Sequence, residues 1–218
     1  PEPSPADHWL SDLTAGFRAA AAEPRVRPIL FIAASSGFFG GVFAALYLLF
    51  ALKTLGLTPA MLGLTIACGG IGAFAGAALA SPLARRLGTG RTVILAGTVA
   101  AAGTLLIPLA PANPLGGMIA LIVAQFLGDS AGVITQILLA SLRQAILPQA
   151  MLGRVAGAFQ AVSGGAMLLG ALLGGVLGAQ IGVREAIAVA TAGLFLSPLI
   201  VLASPLRRVG DMPAAPTA

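Results

Sequence analysis

Of the seven acidic residues in this chain, Glu2, Asp7, Asp12, Glu23, Glu185 and Asp211 lie in tails or short connections, and one, Asp129, stands in the middle of a long apolar stretch. A carboxylate at the centre of a membrane-spanning helix costs about 2.5–3.5 kcal/mol on insertion scales. A helix keeps such a group only where it faces protein or a wet cavity. A carboxyl group that is neutral when dry and charged when wet can exchange a proton as its access to water alternates. At about 100° per residue, Gln125, Asp129 and Gln136 fall within about 40° of one another, and Arg143 lies on the same line near the end of the stretch. Asp129 and Arg143 are about 21 Å apart along a helix axis, too far for an ion pair. The stripe reads either as a cavity face that binds solute or protons, or as a hydrogen-bonded strut between helices.

Other polar and aromatic residues offer a second wall. Ser35, Ser36 and Gly37 precede Phe38, Phe39 and Tyr47 in the first apolar stretch, and Gln160 and Ser163 sit in the fifth. These residues can line the same cavity. Equally, serines in helices bond their own backbone and aromatics pack. Other chemistries are poorly served. The single histidine, His8, lies outside the apolar stretches, and the single cysteine, Cys68, reads as a small packing residue. No disulfide forms within the chain, no Cys/His spacing suits a metal, and no intramembrane serine has a histidine base. Gly88-Thr89-Gly90 lacks the lysine and spacing of a phosphate-binding loop. No cofactor is expected.

The elements that must position these residues are membrane helices. Hydrophobic residues make up 58% of the chain and charged ones only 9%, against about 25% charged in a soluble domain. Mean hydropathy is +0.99. Six apolar stretches cover 28–52, 59–84, 92–110, 115–142, 155–181 and 186–206. About 20 residues of helix cross a bilayer, and strand-type alternation is absent. The expected fold is an all-α membrane protein with six transmembrane helices. The expected organisation is a cytoplasmic linker with an amphipathic helix over 1–26, the six-helix bundle over 27–206 and a cytoplasmic tail over 207–218.

Basic residues sort by side. If both termini share a side, that side holds Arg18, Arg25, Arg27, Arg85, Arg86, Arg91, Arg143, Arg154, Arg207 and Arg208, and the other holds only Lys53 and Arg184. This bias places both termini in the cytoplasm. The net charge of +5 is dispersed along one membrane face, with no basic run, so it marks lipid contact and orientation rather than nucleic-acid binding.

Before the first span, Ser4-Pro5-Ala6-Asp7 reads as a helix start. Trp9, Leu10, Leu13 and Phe17 share one face of the helix that follows, which predicts an amphipathic helix on the membrane surface. The turns between spans are short, so neighbouring spans run antiparallel. The two halves of the span region echo each other. Ala60-Met61-Leu62-Gly63 and Ala150-Met151-Leu152-Gly153 open the second and fifth spans, and Arg91 and Arg184 precede the third and sixth. Two related three-span units that enter from opposite sides make a 3+3 inverted repeat, as in secondary transporters. Gly72, Gly76, Ala80 and Ala84 in the second span, and Ala166, Gly170, Gly174, Gly178 and Gly182 in the fifth, recur every four residues as close-packing faces. Pro198 is expected to bend the sixth span.

The segment Leu83-Ala84-Arg85-Arg86-Leu87-Gly88-Thr89-Gly90-Arg91 resembles the loop signature of the major facilitator superfamily, with Arg85 where that family carries an acidic latch residue. Ser141-Leu142-Arg143-Gln144, Pro148 and Leu152-Gly153-Arg154-Val155 look like the loop between helices ten and eleven of its bacterial exporters. Ser11-Asp12-Leu13 with Gly16-Phe17-Arg18, and Ser204-Pro205-Leu206-Arg207-Arg208, are similar to the linker and end of its enterobactin and macrolide exporter branch. The resemblance implies helices seven to twelve of a twelve-helix carrier in a bacterial inner membrane, partnered by an N-terminal six-helix half and the lipid bilayer. It implies proton-coupled efflux of a small-molecule substrate, with Asp129, Gln125, Gln136, Ser35 and Ser36 at the site. Arg85, Arg86, Gly88 and Arg91 would hold a gate loop. Gly72, Gly76, Gly170, Gly174 and Gly178 would face the other half. An uptake carrier, a uniporter and a non-transporting scaffold are the alternatives.

Overall fold

The computed structural model describes residues 5–210, with side chains from Ser11 onward. Among the described residues there are eight α-helices and no strand: α1 (Pro5–Ala22), α2 (Arg27–Leu49), α3 (Pro59–Leu87), α4 (Thr89–Leu105), α5 (Pro114–Ile146), α6 (Gln149–Ile181), α7 (Val183–Gly193) and α8 (Leu196–Ala203). A π-helical turn, Phe50–Thr54, continues α2. Five segments are long and apolar enough to cross a membrane: Arg27–Thr54, Pro59–Leu87, Pro114–Ile146, Gln149–Ile181 and Val183–Ala203. The third expected span is a shorter helix, α4, of 17 residues. Its end is set by Pro108, which has no N–H to continue the ladder; turns run from Leu106 to Pro108 and on to Ala110.

Pro198 acts alike in the sixth. The helix breaks at Leu194 and Phe195, three to four residues upstream, where a proline ring meets the preceding turn. The Leu194 and Phe195 amides donate to carbonyls no more than three residues back, instead of the four of an α-helix, and α8 restarts at Leu196. The expected bend is therefore a break that separates α7 from α8.

Helix starts follow their caps. Asn113 Oδ1 accepts from the Gly116 amide at 2.7 Å, and Thr58 Oγ1 from Met61 at 3.3 Å, each with proline in the next position. These are strong start signals. The α3–α4 and α6–α7 connections are each a single glycine, Gly88 and Gly182, at φ of +84° and +99°. A side chain is strained in that region, and only glycine reverses the chain so tightly there at little cost.

Two apolar cores close the two ends of the bundle. One gathers Val26, Ile29, Ile32, Ala84, Val93, Leu138, Leu142, Val155, Val201 and Leu206. The other gathers Leu46, Phe50, Leu55, Leu57, Leu62, Ile107, Leu121, Ala186 and Ile187. Successive helices alternate between these ends, so they run antiparallel. The first core lies at the end that carries the arginines. The bundle's exterior is apolar: Phe74 is 82% exposed, and Ile71, Leu168, Leu169, Leu172 and Leu173 are also exposed. Such a surface suits lipid or another apolar bundle, not water.

The small-residue faces correct the sequence expectation. They turn inward rather than toward a second half. A Cβ on Gly170 would strike the Phe38 carbonyl, and one on Gly174 the Val42 backbone, so this face of α6 seals against α2. Gly178 abuts the Leu46 side chain of α2 in the same seam. Gly72 and Gly76 abut the Phe126 and Ser130 carbonyls, so that face of α3 seals against α5. The physical reason is reach: only helices stripped to glycine let a carbonyl approach a neighbouring Cα, where dispersion and weak Cα–H···O contacts hold them.

At the arginine-poor end, Arg184 does more than bias topology. Its guanidinium donates to the carbonyl oxygens of Pro108 and, at 2.9 Å, Ala110. It also lies 5.2 Å from the centre of the Phe50 ring. It thus satisfies carbonyls freed where Pro108 ends α4. Replacing Arg184 with alanine is expected to cost about 2 kcal/mol, because charged hydrogen bonds are lost and acceptors are stranded. The check is the thermal midpoint of the detergent-solubilised protein; an unmoved midpoint would mean that those carbonyls find other donors.

Helix α1 docks on α6 rather than standing clear of the bundle. Gly16 meets the Arg154 carbonyl, Leu13 reaches Gly157, and Asp12 pairs with Arg154 at 2.9 Å. Both ends of that pair are about half exposed, so the apolar contacts hold the helix and the pair adds little. Ser4 lies outside the described residues, as do the side chains of Trp9 and Leu10 and the tail beyond 210.

Candidate functional site

A cavity of about 670 Å³ lies between α2, α4, α5 and α6 and the break between α7 and α8. Its wall carries the predicted stripe: Gln125, Asp129, Gln136 and Arg143 of α5 all line it. The spacing of 4, 7 and 7 residues keeps them on one side of α5 through more than four turns. The size falls within the usual 300–1,000 Å³ of a small-molecule pocket. Lining residues run from the arginine-rich end, at Ile29 and Arg143, to the helix middles, at Phe43 and Gln125. Beyond them, Phe50, Leu55, Leu121 and Ile187 pack a buried plug at the other end.

Asp129 is exposed on the cavity wall and is aimed at α3, where its Oδ2 occupies the space that a side chain on Gly69 would need. Gly69 therefore makes the berth for the carboxyl group. On the neighbouring turn, the Tyr47 hydroxyl of α2 faces Thr65, Gln125 and Asp129. Neither that hydroxyl nor the Gln125 amide nitrogen makes a hydrogen bond of good geometry, and both are buried. Thr65 itself donates to the Leu62 carbonyl at 2.8 Å. Two buried polar groups with unmet capacity thus sit beside the only carboxylate on the wall. Such groups are normally satisfied; Gln125 lines the cavity, where a polar atom that enters can reach it, and Tyr47 stands behind it.

The second wall is only partly as expected. Ser36 and Gly37 line the cavity, whereas Ser35 does not; its hydroxyl donates to the Ile32 carbonyl at 3.2 Å. Gln160 and Ser163 of α6 are on the wall. Phe38, Phe39 and Tyr47 pack instead: the first two rings meet edge-on at 5.2 Å, Phe39 lies against Gly193, and Tyr47 tilts onto Phe43 at 5.1 Å. Phe43 and Phe159 are the aromatics that line the cavity, and Thr104, Thr135 and Ser197 join them. Sequence reading did not single these out. Phe43 and Ser36 lie seven residues apart, one helical face, which was the available signal.

The expected gate-loop residues lie at the end of α3 and the start of α4, outside the cavity. Arg85, Arg86 and Arg91 are exposed. The turn is strapped by the chain's own C-terminal segment: the Thr89 and Gly90 amides donate to the Gly210 and Val209 carbonyls at 2.7 and 2.8 Å. Thr92 Oγ1 closes the turn on Gly88 at 2.8 Å. Among the described residues, no three His, Cys, Asp or Glu side chains gather where a metal ion would fit. Cys68 is half-buried and faces an apolar groove between α3 and α5, with Ile71, Val123 and Phe126.

Compared with known proteins, the chain matches the family profile described as transmembrane secretion effector over residues 1–218. No curated protein matches it.

Proposed function

The chain belongs to the transmembrane secretion effector family, a membrane transporter family of the major facilitator type, and we propose that it is the C-terminal half of a proton-coupled exporter of small amphiphilic molecules. The observation that carries this reading is Asp129: a single carboxylate, mid-helix, open to a cavity of about 670 Å³ and backed by Tyr47 and Gln125. A carboxyl group in that position changes charge as the cavity fills or drains, which is what coupling to a proton gradient requires. Gln125, Gln136 and Ser36 would take the polar atoms of a substrate, and Phe43 and the aliphatic wall its apolar body. Both termini would lie in the cytoplasm, in a bacterial inner membrane.

Internal symmetry supports the half-carrier reading. The α2–α6 seam pairs span 1 with span 5, and the α3–α5 seam pairs span 2 with span 4. Exchange of the two three-span units turns one seam into the other. Gly88 and Gly182 occupy matching turns, and Pro108 and Pro198 interrupt matching helices 90 residues apart. These correspondences support an inverted repeat. The exposed apolar outer faces of α3 and α6, with Phe74, Leu168 and Leu172, are the surfaces a companion half would cover.

The test is transport by the full-length gene product in sealed vesicles. With a proton gradient imposed across the membrane, an amphiphilic fluorescent dye should move against its own gradient, protons should move the opposite way, and a protonophore should abolish both. Dye movement that ignores the gradient would make the protein a uniporter. No movement above protein-free vesicles for any dye would favour the scaffold reading.

A further inference from the structure

The arginine at the far end of the cavity serves none of the roles its neighbours serve. Arg25, Arg27, Arg85, Arg86, Arg91, Arg207 and Arg208 are exposed, as topology-setting charges should be. Arg154 is paired with Asp12, and Arg184 is bonded to backbone carbonyls. Arg143 is half-buried, lines the cavity, and lies over the face of Phe159 with its Cζ 4.4 Å from the ring centre. Phe159 is itself only 6% exposed. Among the described residues, Arg143 has no carboxylate within ion-pair distance and no hydrogen bond from its side chain.

We propose that Arg143, held flat by Phe159, is an anion-binding subsite that takes the carboxylate, sulfonate or phosphate head of an amphiphilic ligand. Stacking fixes the plane of the guanidinium and leaves its N–H edge for a bidentate acid group. A partly desolvated cation without a counter-charge is unfavourable, and an arriving anion relieves that. Gln136 and Gln160 stand on the same wall with further donors, and Ile29, Ile32 and Leu139 supply apolar surface for the ligand's body. The carboxylate of Asp129 does not oppose this. It is about 21 Å away along α5, too far to pair with the guanidinium. One cavity thus offers opposite charges at its two ends. The cavity's role as a substrate site rests on the carrier reading above, but anion binding here does not require that transport be proton-coupled.

The experiment is equilibrium binding of two probes with one body and opposite charge, 1-pyrenebutyrate and 1-pyrenebutyl-trimethylammonium. The full-length protein sits in phosphatidylcholine nanodiscs, and empty discs are the blank. Arg143→Gln should weaken pyrenebutyrate at least tenfold, about 1.4 kcal/mol, and Arg143→Lys should weaken it less. The ammonium probe should bind all three proteins alike. Unchanged pyrenebutyrate affinity in Arg143→Gln, or equal loss of both probes, overturns the subsite. A second arm replaces part of the lipid with phosphatidylglycerol. If that lipid displaces pyrenebutyrate from the wild type but not from Arg143→Lys or Arg143→Gln, the natural head is a phospholipid's; if it displaces none, the head belongs to a free amphiphilic anion. Failure of the dye-transport test with intact pyrenebutyrate binding would remove the coupled-carrier reading and leave the subsite standing.

Discussion

Asp129→Asn is expected to bring gradient-driven transport down to the level of protein-free vesicles while the folded protein stays at least as stable as before. The two effects separate because the substitution keeps shape and removes charge. Asn fills the same berth beside Gly69, and no ion pair among the described residues is broken. A mid-span carboxylate without a counter-charge is itself unfavourable, so its removal leaves stability the same or raises it. What disappears is the proton. An amide cannot shuttle between charged and neutral forms, so both substrate-driven proton release and the pH dependence of transport should vanish together. Downhill exchange of a neutral substrate should survive, since the cavity is unchanged. Asp129→Glu should act in between: the proton returns, but one more methylene has to fit where a side chain on Gly69 would already collide. Full coupled transport by the Asn variant would remove Asp129 from the mechanism.

Gly170→Val should be the most damaging single change to the fold, and Gly170→Ala should already destabilise. Any Cβ at this position runs into the Phe38 carbonyl, which is backbone and not a flexible side-chain tip. The helices must separate, and the whole α2–α6 seam loosens. Overpacking of this kind costs about 1–3 kcal/mol. Alanine's better helix propensity returns about 1 kcal/mol at most, so the clash wins. Gly164 is the control. It lies on the same helix with nothing within 4 Å of a Cβ, so Gly164→Ala should be neutral or slightly stabilising. Opposite signs at Gly164 and Gly170, read as thermal midpoints in detergent, are the expected result. Equal shifts at the two would show that the seam is not closely packed.

The contrast between those glycines shows why only part of this fold was legible beforehand. Long apolar runs and sparse charge announce membrane helices, and the every-fourth-residue pattern announces close packing. The pattern does not say against what. In a soluble helix the polar face marks the outside. Here both sides are apolar, so inward and outward faces look alike, and spacing alone does not tell which way those of α3 and α6 turn. Arg184 read as a topology marker because its partners, Pro108 and Ala110, are carbonyls more than 70 residues away. Backbone acceptors leave no trace in composition. Asp129 was legible for the opposite reason: a charge amid apolar neighbours must face protein or a cavity, whatever surrounds it. Ser35 and Ser36 were indistinguishable as residue types, and about 100° of helix rotation puts one on the cavity wall and the other on its own backbone.

The pairing of α2 with α6 also bears on how the protein is made. Phe38 and Gly41 meet Gly170 and Met167, contacts separated by about 130 residues. Phe126 and Gly72, by comparison, are separated by 54. At roughly 5–20 residues per second, the first span leaves the ribosome some 6–26 seconds before its main partner exists. During that interval its seam has no glycine face of α6 to close upon, and the insertion machinery or lipid must shield it. A nascent chain arrested after α5 should therefore hold a settled α3–α5 pair beside an orphaned first helix, the form on which membrane quality control would act.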